Sequence, residues 1–266
     1  QSLLICLSIL LMLISFPNTI THQPWAAWVC FVPLFMGLRQ IQLLPIKIII
    51  SWFVWQVFFL SLFGQSISLS FDDYFPTQSI GLLLFYTVFP IIYGLLTAGI
   101  QWITEQKPSL IGCAIASSLW CLFETIVLPT IFKFPLSLAI TQYQQTTLIQ
   151  GCNIFGITWI SVLILSVNIA QTIAISRKKL APLFFILSIM LINYGYGATL
   201  MHQKDVPVKN TISFLTLQPN KTEKDIHLFQ TNPNYFKDQL SDIDHLVTKG
   251  LHAYHPDMVL IPEGMF

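Results

Sequence analysis

Charge is what this chain has least of. Asp, Glu, Lys and Arg together make up 9% of its 266 residues, where a soluble domain carries about 25%. So few charges exclude an ordinary water-facing surface. The formal net charge of +1 leaves no basic field for a nucleic acid. Cysteine is scarce too: Cys6, Cys30, Cys113, Cys121 and Cys152 lie in or beside apolar stretches, and none follows Cys152. Their spacing matches neither a metal site nor a secreted disulfide framework, so they read as small buried hydrophobes. The first apolar run resembles a signal-peptide core but has no basic lead and no small-residue cleavage site, so it is expected to be a span. The first residue is Gln1 rather than methionine, so the sequence is expected to be clipped there, and at its C-terminal end as well.

What is present is apolar sequence, 54% of the chain. Runs near 2–16, 24–38, 44–64, 79–102, 108–129, 152–175 and 180–200 predict about seven transmembrane helices over residues 1–200. Pro33 and Pro45 are expected to break the second and third. The short-loop cations separate by side. Arg39, Lys47, Lys107, Arg177, Lys178 and Lys179 fall in one set of loops; Asp72, Asp73 and Lys133 fall in the other. That asymmetry predicts the first set to be cytoplasmic and everything after Met201 to be outside. The outward stretch "TIFKFPLSLAITQYQQTTLIQG" (130–151) is too polar to span. It is expected either at the outer interface, as an amphipathic or re-entrant piece, or as a plain loop. Glu124 sits just before it, near the outer end of span five. An ionisable group there is either a functional-site candidate or a helix-end carboxylate reaching the headgroups.

Composition changes after Met201. Thr211 to Leu217 reads as a strand stopped by Pro219 and Asn220, and "DMVLI" as a second, nearly all-apolar one. Between them, Tyr235, Phe236, Leu240, Ile243, Leu246 and Val247 fall on one helical face, with Gly250 at the expected C-cap. Strand, helix, strand predicts a βαβ unit with parallel strands over residues 201–266. Such strands share the carboxyl edge where open α/β sheets hold ligands. Gln218, Asn220 and Glu263 follow the two strands and become candidates on that ground. His245, His252 and His255 straddle a helix end without ligand spacing, so no metal is assigned.

The order of parts resembles the bacterial apolipoprotein N-acyltransferases. Three stretches carry the likeness: "PWAAWVCFVPLF"; Trp120 and Glu124 followed by Phe134-Pro135, a glutamine at 142 or 144, Gly156 and Asn168; and "ISFLTLQPN" followed by "DMVLIPEG". This sequence departs from the family pattern at Val127, where an arginine is usual, and at Leu136, where a tryptophan is. It also has Ile261 and Gly264 around Pro262-Glu263. The resemblance implies a multi-span α-helical membrane bundle followed by the start of an α/β nitrilase-like (carbon-nitrogen hydrolase) domain, in a multi-pass protein of the bacterial inner membrane with that domain periplasmic.

Its chemistry would be a Glu-Lys-Cys acyl transfer, with Glu263 as the base and the Lys and Cys expected beyond residue 266. Until those residues follow, the chain by itself is expected to be inactive. The implied donor is a membrane phospholipid and the implied acceptor the diacylglyceryl-cysteine of an apolipoprotein, handled by a monomer without a cofactor. Glu124, Gln142, Gln144, Gln218 and Asn220 are the candidate substrate-binding residues. The alternatives are a membrane-anchored nitrilase-type amidase and a non-catalytic transporter or scaffold.

Overall fold

The computed structural model describes residues 1–18, 21–71, 76–132, 136–202, 212–217, 228 and 232–260. The chain divides into two units, Gln1–Gln203 and Lys204–Phe266.

The regular elements described in the first unit are helical. Its elements are α1 (Ser2–Ser15), a 3-10 turn (Pro24–Trp28), α2 (Phe31–Arg39), α3 (Leu44–Phe71), α4 (Pro76–Gln106) and α5 (Leu110–Leu122). After α5 come a wider π-wound segment (Phe123–Phe132), a second 3-10 turn (Leu138–Gln142), α6 (Thr146–Ile149), α7 (Cys152–Phe155), α8 (Thr158–Arg177) and α9 (Ala181–Met201). Among the described residues, five helices are long and apolar enough to cross a membrane: Leu44–Phe63, Phe85–Gln106, Leu110–Thr130, Thr158–Arg177 and Ala181–Met201. Ser2–Ser15 and Pro24–Arg39 are apolar but shorter. The unit is thus a multi-pass membrane bundle.

Span three is not broken at Pro45, whereas span two is interrupted at Val29 and Cys30, just before Pro33. Pro45 lies in the first turn of α3 and Pro33 is the third residue of α2, positions where an intrahelical N–H is not needed. Span six, expected from about residue 152, is divided. Gly156, at a φ of 76°, ends α7 and delays α8 to Thr158. A left-handed backbone there suits glycine, which has no Cβ to clash.

In lipid, helices associate through close packing and buried hydrogen bonds more than through water exclusion. Both operate here. Phe31, Trp55, Tyr93 and Trp120 bring α2, α3, α4 and α5 together, with ring centroids 4.4 Å apart for Trp55–Tyr93, 5.8 Å for Phe31–Trp120 and 6.0 Å for Trp55–Trp120. Trp55 Nε1 donates to Thr97 Oγ1 at 2.9 Å. Nearer the start of α3, Lys47 pairs with Glu105, which also accepts from Gln101 Nε2 at 3.0 Å. Asn168 of α8 joins α2 to the bundle: its Oδ1 accepts from Phe31 N, and its Nδ2 donates to the carbonyls of Ala27 and Ile164, each at 2.9 Å. The five cysteines are free, with Cys30 and Cys113 buried and Cys6 exposed on the surface of α1. Cys6 therefore corrects the expectation that all are buried.

In the second unit, β1 (Phe214–Thr216) and β2 (Met258–Leu260) pair in parallel, Leu215 opposite Val259, with α10 (Pro233–Tyr254) between them in sequence. Strand, helix, strand is the observed order. Two three-residue strands do not by themselves define a nitrilase-like domain. Gly250 is not the C-cap; α10 runs on and ends at His255, whose φ is 45°. A Cβ at Gly250 would press into the Leu215 side chain, so the glycine is needed for close approach of α10 to β1.

Candidate functional site

Glu124, the second residue of the π-wound segment, lies one helical turn after Trp120 of α5, and the two side chains meet. Trp120, only 1% exposed within the aromatic cluster, donates its Nε1–H to Glu124 Oε1 at 2.7 Å. From Phe123 the helix widens to a π-wound segment that contains Pro129, whose ring and missing N–H disturb an ordinary α-helical turn. The chain at 136–142 then packs on the start of α8. The 3-10 turn there begins with amides that have no intrahelical partner. Glu124 Oε1 takes Leu138 N at 2.8 Å, and its Oε2 takes Ser137 Oγ at 2.8 Å. Ala139 N is shared between Ser161 Oγ (3.0 Å) and Ser137 Oγ (3.2 Å), and the two serine oxygens lie 2.9 Å apart. The carboxylate, 7% exposed, thus meets three donors and fastens the 3-10 turn to α5. It does not reach outward for headgroups. With protein donors on both oxygens, it is built to hold a loop.

The turn ends in a second polar node. Gln142, 1% exposed, donates from Nε2 to Pro24 O (2.8 Å) and Thr141 Oγ1 (3.0 Å), and its Oε1 accepts from Trp28 Nε1 at 3.3 Å. His22 Nε2 lies 3.0 Å from Thr141 O, and the ring stacks on Tyr143 with centroids 5.0 Å apart. Gln144 is exposed and donates only to Tyr143 OH, at 2.9 Å. The two glutamines, equal candidates in the sequence, therefore occupy unlike environments. Asn193 of α9 completes the collar by donating to Leu148 O (2.8 Å) and accepting from Trp159 Nε1 (2.9 Å).

Around these buried nodes Trp25, Ile140, Tyr143, Ile154, Phe155 and Ile157 are exposed, a mixture of apolar and amphipathic rings suited to the membrane–water boundary. The stretch 136–155 is thus a folded collar of short helices on the bundle, not a plain loop. Gln218, Asn220 and Glu263 lie outside the described residues, as do Phe134 and Pro135. Sequence reasoning passed over Ser137, Ser161, His22 and Trp28. A serine just before "LAITQ" was a readable cap signal; the others are brought in from distant segments and carry no local sign.

Apolar helices packed around a buried carboxylate that holds a collar with exposed Trp25, Tyr143 and Phe155 define a multi-pass membrane helical protein. Residues 8–170 match the apolipoprotein N-acyltransferase N-terminal domain, and the chain belongs to that family. No curated protein matches it.

Proposed function

We propose that this chain is the membrane part of an enzyme that moves an acyl chain from a phospholipid to the α-amino group of a diacylglyceryl-cysteine at an apolipoprotein N-terminus. In this reading a thiolate attacks the phospholipid ester. The C–O bond breaks, a lysophospholipid leaves, and an acyl-thioester forms. The lipoprotein amine then attacks the thioester, giving the amide and returning the thiol. Glu263 is the general base in both halves: it takes the thiol proton and passes it to the departing lysophospholipid oxygen, then takes the amine proton and returns it to the thiolate that leaves. A lysine stabilises the tetrahedral oxyanion. In sequence Glu263 comes three residues after β2, and open parallel sheets keep working residues after the carboxyl ends of their strands.

The observation that carries the reading, beside the family itself, is the Glu124-held collar. Both substrates are membrane-anchored lipids, so the reacting groups must meet at the bilayer surface. A collar fixed by buried hydrogen bonds and ringed by Trp25, Tyr143 and Phe155 supports such a lipid platform. Glu124 and Gln142 act in it as positioning residues, while Gln144, Gln218 and Asn220 are left to contact substrate. The grouping of Arg39, Lys47, Lys107 and Arg177–Lys179 supports an inner-membrane orientation with that end cytoplasmic and residues after Met201 periplasmic.

Glu263→Gln in the protein as encoded tests the reading. It should slow acyl-thioester formation from labelled phospholipid by roughly 10²–10⁴ while leaving folding nearly intact. Thioester formation at the normal rate would reduce Glu263 to a structural carboxylate.

A further inference from the structure

The end of the bundle away from Glu124 carries a feature that the acyl-transfer reading does not use. A cavity of about 590 Å³ opens on the bundle surface between α1, α2, α8 and α9. Leu7, Leu11, Val32, Pro33, Ile175 and Leu183 contribute to its wall, and Gln171 is the polar side chain among the lining residues. Arg177, Lys178 and Lys179 stand between Ile175 and Leu180, both of which line it. Lys178, at a φ of 55°, makes the tight turn from α8 into α9. The three cations are exposed, and none pairs with an acid among the described residues, where the ion pair present is Lys47–Glu105.

We propose that this groove binds one anionic phospholipid, with an acyl chain against α1, α2 and α9 and its headgroup on the Arg177–Lys179 turn. The groove is apolar where a bilayer is apolar and cationic where headgroups lie, so both halves of the same molecule are matched. Charge selects the class. A zwitterionic headgroup brings its own cation to a cluster that already has three, whereas a phosphatidylglycerol headgroup brings net negative charge. Ser161, at the collar, and Arg177 are sixteen residues apart on α8, which at 1.5 Å per residue is about 24 Å. This lipid therefore sits in the leaflet opposite the collar. It is a bound structural ligand and not the acyl donor, and the inference stands or falls independently of the reaction proposed above.

The test is photolabelling of the wild-type chain in phosphatidylcholine nanodiscs, using phosphatidylglycerol with a diazirine in its acyl chain. Label should concentrate on peptides containing Leu7–Leu11, Val32–Pro33 and Leu183. Each cation near a membrane surface is worth about fivefold in binding, so unlabelled phosphatidylglycerol should compete at least about tenfold better than phosphatidylcholine. The combined variant Arg177→Gln, Lys178→Gln, Lys179→Gln should lose that preference while melting normally in phosphatidylcholine. Label spread evenly over lipid-facing positions such as Leu191 and Ile192, each 72% exposed, would overturn the groove. Equal competition by the two lipids in the wild type, which needs no variant, would overturn the headgroup assignment.

Discussion

Removing the Glu124 carboxylate should unlatch the collar, and the cost can be worked from its contacts. In Glu124→Ala the Trp120 indole N–H and the Leu138 amide lose their acceptor, while the Ser137 hydroxyl can still turn to Ser161, 2.9 Å away. Two buried donors without partners cost about 1–3 kcal/mol each, so roughly 2–6 kcal/mol in all. Glu124→Gln differs in kind. Its amide oxygen can occupy the Oε1 position and keep both of those donors, and its NH₂ then faces Ser137 Oγ, which can accept. The loss is that of one charge-assisted bond, about 0.5–1.5 kcal/mol. For a chain of this size a kilocalorie moves Tm by about 2–4 °C, so the alanine variant should melt lower by on the order of 10 °C and the glutamine variant by only a few. A fluorogenic thiol dye reads the transition, because Cys30 and Cys113 are buried and react only on unfolding. An alanine variant that melts with the wild type, or a glutamine variant as weak as the alanine one, would refute the latch.

Gln142→Ala should destabilise measurably, by about 1–3 kcal/mol, because Trp28 Nε1 loses its acceptor and Pro24 O a donor; exposed Gln144→Ala should stay within about 0.5 kcal/mol in the same melt. In the second unit, Ser213 donates from its backbone N and its Oγ to Asp257, which holds that carboxyl below its ordinary value. The contribution is therefore present above the unfolded value of about 3.9 and lost as pH falls through the lower folded one. Hydrogen-exchange protection around β1, corrected for intrinsic rates, should hold from pH 7 to 5 and fall only below about pH 4; a loss between pH 7 and 5 would assign it to another group. Reporter fusions after Lys179 and after Lys209 should fall in opposite compartments, and matching compartments would overturn the proposed orientation.

Much of the bundle was legible because lipid imposes a strong rule: long apolar runs with their backbone satisfied internally. That rule located α3, α4, α5, α8 and α9 to within a turn or so at most of their ends. It could not say what Pro45 does, because a proline in a first turn looks in sequence like a helix breaker. Nor could it see that Gly156 rather than a polar run divides α7 from α8. Glu124 stood out as an ionisable group at a span end, but its orientation depended on where residues 136–142 return, and that is decided by α8, more than thirty residues later in the chain. Gln142 and Gln144 were indistinguishable for the same reason: the difference between them is contact with Pro24 and Trp28, over a hundred residues away. Gly250 misled because a glycine late in an amphipathic run reads as a cap, while here it makes room for Leu215.

The central claim is that a phospholipid acyl chain ends on a lipoprotein amine. The direct measurement reconstitutes the protein as encoded in proteoliposomes with an acyl-labelled phospholipid and a diacylglyceryl-cysteine peptide, and follows label by mass spectrometry. The account predicts label on the peptide's α-amino nitrogen, with lysophospholipid formed in equal amount. Label released only as free fatty acid, or a peptide left unmodified while a soluble amide is hydrolysed, would contradict it.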